Sequence, residues 1–153
     1  MKKISYGLRF YLFLSFLLDP IYFIYQLISV LRGKENPKRL LERWVTKQIK
    51  RPSGKLIWLH AASVGESLSL LPLIEKIIAD NPKINILITS TTKTSAEILE
   101  KISKPQIIHR MAPYDTFFVS KRFLKYWEPD LAVRVESEIW PRILLQLKKN
   151  KIP

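Results

Sequence analysis

From residue 55 onward, short apolar runs alternate with stretches whose apolar positions recur at helical spacing. Candidate strands cover 55–60, 84–89, 106–109 and 130–135, and candidate helices cover 66–79, 94–103, 116–127 and 139–150. Strands separated by helices of this length predict βαβ units around a parallel sheet, an α/β fold with right-handed crossovers. The first thirty residues read differently. Ile4 to Leu31 is nearly continuous in Phe, Leu, Ile and Tyr, interrupted by Arg9 and by Asp19-Pro20. A membrane-spanning helix needs roughly twenty apolar residues, and this stretch is long enough if Asp19-Pro20 is tolerated as a kink. Between the two regions, Asn36-Pro37 reads as a helix start. Leu40, Leu41, Trp44, Val45 and Ile49 follow at helical spacing, which predicts a short basic amphipathic helix ending near the breaker Pro52-Ser53-Gly54. The chain therefore divides into an apolar anchor at 1–32, a basic helix and linker at 33–54, and an α/β domain at 55–153.

Composition narrows the chemistry. The chain has 153 residues, about one domain, and no cysteine, which excludes disulfides and thiolate metal sites. Two histidines, His60 and His109, argue against a histidine metal centre, so no metal site is expected. The formal net charge of +13 favours an anionic partner: nucleic acid, an acidic membrane surface or a phosphorylated substrate. Its distribution is more telling. Between Arg32 and Lys55 stand Arg32, Lys34, Lys38, Arg39, Arg43, Lys47, Lys50, Arg51 and Lys55, against Glu35 and Glu42. This segment directly follows the apolar stretch, as a cluster facing anionic lipid would. Nucleic acid is not the expected partner, because the aromatics lie in the apolar stretch and do not interleave with the cations as a base-stacking surface needs.

The apolar stretch admits three structures: an uncleaved signal-anchor, a broken hairpin lying in one leaflet, and a buried helix. Tyr6, Tyr11, Tyr22 and Tyr25 suit a bilayer interface, and membrane association is the expectation. Basic residues flank both ends, but the larger cluster is C-terminal, which predicts a cytoplasmic globular part.

Chemistry is expected where strands end, since ligands of open α/β sheets bind beyond the carboxyl ends of the strands. His60-Ala61-Ala62-Ser63-Val64-Gly65-Glu66 joins the first strand to its helix. Its bland reading is an ordinary turn, with Gly65 for tightness and Glu66 holding first-turn amides. Thr89-Ser90-Thr91-Thr92-Lys93-Thr94 follows the second strand, where helix capping is the favoured role. Pro113-Tyr114-Asp115 follows the third, with Asp115 expected as an N-cap. Glu136-Ser137-Glu138-Ile139-Trp140-Pro141 follows the fourth; two carboxylates there would cost free energy to bury without a purpose.

Together with Arg39-Leu40-Leu41-Glu42-Arg43-Trp44, these motifs resemble, in order and near spacing, the N-terminal half of the 3-deoxy-D-manno-octulosonic acid (Kdo) transferases of lipopolysaccharide assembly. The resemblance covers essentially the whole chain. It implies a Rossmann-like parallel sheet, the acceptor-binding half of a GT-B glycosyltransferase, behind an N-terminal membrane anchor. It also implies an inverting transfer of Kdo from CMP-Kdo to the lipid A precursor, lipid IVA, at the cytoplasmic face of the inner membrane, with no cofactor. On the matching positions, Glu66 is the catalytic base and Glu136 the transition-state stabiliser, with Glu138 the less favoured alternative. Ser63, Gly65 and Arg43 are the expected substrate contacts. The dipole at a helix start favours negative charge, as a base requires, and a fixed carboxylate stabilises an oxocarbenium-like species. Two positions depart from the family pattern: Ser95 where glycine is frequent, and Arg142 where asparagine is common. The donor-binding half is missing from this sequence, so the expectation is a fragment: half of a split gene completed by a separately encoded half, a degrading gene product, or a piece with a residual acceptor-binding role. The alternative is a non-catalytic membrane-peripheral module that binds anionic lipid.

Overall fold

The structure, a computed structural model, describes residues 5–46, 49–102, 104–135 and 139–153. The α/β part consists of β1 (Leu56–Ala61), α3 (Val64–Asp80), β2 (Asn85–Ser90), α4 (Lys93–Glu100), β3 (Ile107–Met111), α5 (Phe117–Trp127), β4 (Leu131–Arg134) and α6 (Pro141–Lys149). Every strand and helix expected after residue 55 is present, with ends shifted by three residues at most. The sheet is parallel, in the order β3-β2-β1-β4, with Trp58 opposite Leu87 on one side and Ala132 on the other.

Side chains alternate across the strands, so each face builds its own core. Leu56, Trp58 and Leu87 pack with Phe123, Trp127, Ile143 and Leu147 of α5 and α6. Leu59, Ala61, Ile86 and Ile88 pack with Leu70, Ile74 and Leu99 of α3 and α4. The chain thus lays β1, β2 and β3 outward beneath α3 and α4. It then crosses to the opposite face and returns as β4 beside β1. This is a doubly wound sheet whose winding reverses between β1 and β4. Ala132 on the outer side of β4 donates its N–H to Pro153 O at 2.9 Å.

The anchor segment is one continuous helix, α1 (Tyr6–Leu31), with Pro20 inside it and Ser5 as N-cap. At about 1.5 Å per residue it is roughly 39 Å long. Of the three structures the apolar stretch admits, the hairpin broken at Asp19-Pro20 does not form. α1 ends where Gly33 takes φ +69° and Lys34 N–H bonds Ser29 O, a left-handed C-terminal stop.

The basic segment is more broken than its periodicity suggests. Asn36 caps a 3₁₀ turn (Pro37–Arg39) and α2 (Leu40–Arg43) follows for four residues only. The helix stops because Val45 turns to φ +55° and buries its side chain in the core beneath α5. Nor is the segment a free linker: Glu42 binds it to the sheet. The Glu42 carboxylate accepts from Arg39 at 2.9 and 2.6 Å, from Arg110 at 3.2 Å and from the Met111 amide at 2.9 Å. Arg39 also donates to His109 Nδ1 at 3.1 Å, while His109 Nε2 faces Ser90 Oγ at 2.9 Å. A guanidinium can only donate, so His109 is neutral, with its proton on Nε2.

Burial, with the Arg39 and Arg110 charges adding to it, pushes the His109 imidazole down from 6.5 to about 3. The unfolded chain takes up that proton near 6.5 while the folded chain resists until near 3, so this contribution to stability is complete above 6.5 and is lost as pH falls through that window. Chemical denaturation of the wild type and of His109→Gln at neutral pH and near pH 5 checks this. The wild type is expected to lose more stability on acidification; equal losses would remove His109 from the effect.

Candidate active site

The carboxyl ends of the four strands share one rim, and the winding reversal puts the ends of β1 and β4 side by side on it. His60 pairs with Arg134, and Val135 N–H donates to His60 O at 3.1 Å. This is the crevice where open α/β sheets take ligands. At the β1 end, Ser63 is the N-cap of α3 and Glu66 its third residue, forming a capping box. Glu66 N–H donates to Ser63 Oγ at 3.3 Å, while Glu66 Oε2 accepts from the amides of Ala62 at 2.9 Å and Ser63 at 3.3 Å. Among the described residues nothing hydrogen-bonds the second carboxylate oxygen, Oε1. The carboxylate is half-buried and held at the rim by main chain.

Gly65 is exposed, in the first turn of α3, at an ordinary φ, and a Cβ there would meet nothing within 4 Å. The turn therefore does not need glycine for tightness. What glycine does leave is bare backbone facing open space beside Glu66. Glu136, Ser137 and Glu138 lie outside the described residues; the last described residue before them is Val135, paired to β1.

His60, the first residue of the motif, is structural. It is fully buried, with Nδ1 2.9 Å from Thr89 Oγ1, which also accepts from Trp58 Nε1 at 2.8 Å. Its ring packs 4.4 Å from Trp140, and Trp140 in turn lies under Arg134. This packing holds the base of the rim and joins β1 to the start of α6.

Arg43 is also turned inward. Its side chain is 6% exposed, pairs with Glu35 at 2.8 Å, and donates to Thr91 O at 2.5 Å and Ala112 O at 3.1 Å. It ties the β2 and β3 ends of the rim together and still lines the clefts there. Arg51 closes the end of α5 by donating to Trp127 O and Glu128 O. Of the basic run, Arg39, Arg43 and Arg51 thus serve the fold, whereas Arg32, Lys34, Lys38, Lys50 and Lys55 are exposed.

Asp115 is not the N-cap of its own helix; Thr116 is. Its carboxylate instead caps α6, accepting from the amides of Arg142 at 3.0 Å and Ile143 at 2.8 Å, and takes the Tyr11 hydroxyl of α1 at 2.7 Å. Burial raises the Asp115 carboxyl above the usual range, against the pull of those three donors. Arg142, the departure from the family pattern, reaches the same helix: its guanidinium donates to Ser15 Oγ and Leu12 O and stacks over Phe16 and Phe117. At the other departure, Ser95 donates its amide to Thr92 Oγ1 at 3.1 Å, so α4 begins with an ordinary cap. Further along α1, Gln26 donates to Leu40 O and accepts from Trp44 Nε1.

These contacts make α1 inside-out. Ser15, Gln26 and Ser29 are at most 5% exposed, whereas Phe10, Phe13, Ile21 and Ile24 are 58–65% exposed. By length and composition α1 is also sufficient to cross a membrane.

The comparisons with known proteins agree with this geometry. Residues 38–153 match the family model described as 3-deoxy-D-manno-octulosonic-acid transferase (kdotransferase). The 3-deoxy-D-manno-octulosonic acid transferase of Rickettsia bellii is 42% identical over 94% of this chain and 34% of its own length. Those of Rickettsia felis and Haemophilus influenzae are 34% and 29% identical, over 86% and 94% of this chain and 38% and 34% of theirs. The chain belongs to the Kdo transferase family, and its sheet is the N-terminal, Rossmann-like part of a GT-B fold. It spans about a third of the length of these relatives.

The capping box carries a stability consequence. Ser63→Ala is expected to cost about 1 kcal/mol, as N-cap removals do. Glu66→Gln, which can still accept the two amides, is expected to cost under about 0.5 kcal/mol. Urea unfolding of the two variants gives the comparison, and an inverted order would show that the box does not hold α3.

Proposed function

Because the chain belongs to this family, we propose that it supplies the acceptor-binding part of a glycosyltransferase that moves Kdo from CMP-Kdo onto lipid IVA, the lipid A precursor. The observation that carries the proposal is the position of Glu66: main-chain amides fix its carboxylate at the crevice between β1 and β4. The rest of the enzyme, which would hold the CMP-Kdo donor, comes from further chain or from a separately encoded half.

In the proposed step an acceptor hydroxyl attacks the anomeric carbon of Kdo on the face opposite the cytidine monophosphate. Glu66 takes the hydroxyl proton as the new C–O bond forms. The bond to the phosphate oxygen breaks and CMP leaves with that electron pair, so one inversion results and no covalent enzyme intermediate forms. Glu136, assigned by family resemblance, opposes the positive charge that develops on the ring. Ser63 and the open backbone at Gly65 give the acceptor its approach. Protein carboxylates suffice for these roles, and the step as written calls on no metal or cofactor.

The proposal places the protein on the cytoplasmic face of the inner membrane. α1 is docked to the domain near both ends, through Tyr11 to Asp115 and through Gln26 to Trp44. A helix tied down at two such points lies along the domain, so its apolar side enters one leaflet in the plane of the membrane. The same outward face and the exposed lysines also favour a second reading, a non-catalytic membrane-peripheral module for anionic lipid.

Two experiments decide between these. In an enzyme completed with the remaining length of a relative, Glu66→Gln is expected to abolish Kdo transfer, by about a thousandfold or more for a lost general base, with vesicle binding intact. Near-normal transfer removes Glu66 from the mechanism, and no transfer by the completed wild type favours the module. For the anchor, the absence of cysteine allows single labels. Spin labels at Phe10→Cys, Ile21→Cys and Ile28→Cys in nanodiscs are expected at one shallow depth; a steady gradient across the bilayer would make α1 a span.

A further inference from the structure

α1 meets the domain through polar groups as well as through rings. Tyr11, Ser15, Tyr22, Gln26 and Ser29 recur at helical spacing on its inner side, while Phe10, Phe13, Ile21 and Ile24 face away. At the first of these positions the Tyr11 hydroxyl donates to Asp115 Oδ2 at 2.7 Å, and the Arg142 guanidinium donates to Ser15 Oγ and to the Leu12 carbonyl. Phe16 stacks on Phe117 beside them, with ring centroids 4.2 Å apart. We propose that Arg142 and Asp115 are positioning residues: their bonds lock α1 in one register and so set how far Glu66 stands from the leaflet that α1 enters. The proposal rests on the acceptor reading for the transfer, and on the leaflet reading for the surroundings of α1.

Three observations carry it. First, these bonds are directional where the rest of the contact is not. Stacked rings tolerate sliding, but a slip of α1 by one residue is about 1.5 Å along its axis and about 100° around it. That slip takes Tyr11 off Asp115, and Ser15 and Leu12 off Arg142, all at once. Second, the bonds are made at depth: Ser15 is fully buried and Arg142 nearly so. A guanidinium in that position is costly unless its donors are met, and Arg142 meets them on α1 rather than on a carboxylate. Buried polar contacts of this kind select one register over its neighbours.

Third, a short stiff path joins the lock to the proposed base. Asp115 follows β3, whose end is tied to β2 by the Ala112 N–H donating to Ser90 O at 2.9 Å. Ser90 pairs with Ala61 of β1, and the next amide, that of Ala62, holds Glu66 at 2.9 Å. Asp115 also caps α6 through the Arg142 and Ile143 amides, so α1, α6 and the rim move as one body. The other tie of α1, Gln26 to Trp44, lies eleven residues beyond Ser15, roughly 17 Å along the helix. Two ties at that separation fix both height and tilt, whereas the Gln26 tie alone would be a pivot. An acceptor hydroxyl on a lipid held in the leaflet has a set height of its own. A misplacement of about 1 Å between reacting groups can cost about a hundredfold in rate.

The probe is the double variant Tyr11→Phe/Arg142→Met. It removes the donors that join α1 to the domain here, keeps bulk against Phe16 and Phe117, and leaves both α6 amides on Asp115. Tyr11→Phe alone is the milder variant, and it decides if the double variant unfolds at a lower temperature. In the first arm the 153-residue chain, which has no cysteine of its own, carries one fluorophore at Ser69→Cys, an exposed position in α3 one turn past Glu66. Energy transfer to head-group-labelled lipid in phosphatidylcholine–phosphatidylglycerol vesicles reads its height. The wild type should give one narrow distance, the double variant a broad spread, and Tyr11→Phe a width between them. Equal distributions would overturn the lock. In the second arm the completed enzyme transfers Kdo to lipid IVA in the same vesicles or in non-ionic detergent micelles, which impose no fixed height. The double variant should lose about tenfold or more in vesicles and less than about twofold in micelles. Equal losses in both media would overturn the positioning role, because a weakened fold lowers both alike. No transfer by the completed wild type in either medium would overturn the acceptor reading, and the lock would then stand or fall on the first arm.

Discussion

β1 governs this protein because a parallel strand buried on both faces must receive helices from both sides. Leu56 and Trp58 face α5 and α6, while Leu59 and Ala61 face α3 and α4. Covering both faces forces the winding to reverse, and the reversal falls between β1 and β4. Backbone leaving those two strands cannot be covered by either helix layer, so the rim stays open there. The location of the crevice is thus a consequence of how the sheet is buried. The functional residues did not choose it.

That constraint gives Glu66 a structural task and, in the proposed reading, a chemical one on the same side chain. The start of α3 needs its amides satisfied at the rim, and the Ser63–Glu66 box does this locally. The same bonds hold the carboxylate in one orientation beside the crevice, through Oε2, with Oε1 outside the box. A base positioned by main chain is placed to within the tolerance that proton transfer requires, since geometry comes before acidity in choosing a base. The bland reading of the motif and the catalytic one are therefore not rivals. Capping is how the proposed catalytic group is positioned.

Much of this was legible in the sequence because it is local. Strand and helix periods after residue 55 found every element, and the turn reading of Glu66 as a holder of first-turn amides anticipated its half of the box, though not the Ser63 cap. Long-range partners were not legible. Asp115 was expected to cap its own helix, but it caps α6 across 27 residues and holds Tyr11 across 104. Arg142 reaches Ser15 across 127. The basic run shows how density misleads: charge along a chain does not reveal which way each side chain turns. Arginine, with a rigid fork that meets several acceptors at once, went inward at Arg39, Arg43 and Arg51, while the lysines of the same run stayed out. Val45 ended the basic helix early because the core beneath α5 took its side chain, a tertiary demand that periodicity does not encode.

The orientation of α1 is the point where folding and proposed function meet. In water, a helix on a sheet domain buries its apolar stripe and exposes its polar one. Here Ser15, Gln26 and Ser29 are buried, Tyr11 and Gln26 donate inward, and a row of Phe, Ile and Leu side chains faces away from the domain. Each large apolar side chain left in water forgoes about 1.5–3 kcal/mol of burial, and α1 exposes about a dozen of them. An apolar face of this extent calls for cover, and in the proposed reading a lipid leaflet supplies it. The inward polar bonds then have a clear purpose. In that reading they would fix the rim at a set height relative to the leaflet, because α1 contacts the domain through Asp115 and Trp44, the first of them on the rim itself. An acceptor whose acyl chains stay in the bilayer could reach Glu66 only if that height were right, which makes the docking of α1 as much a part of the proposed site as the glutamate.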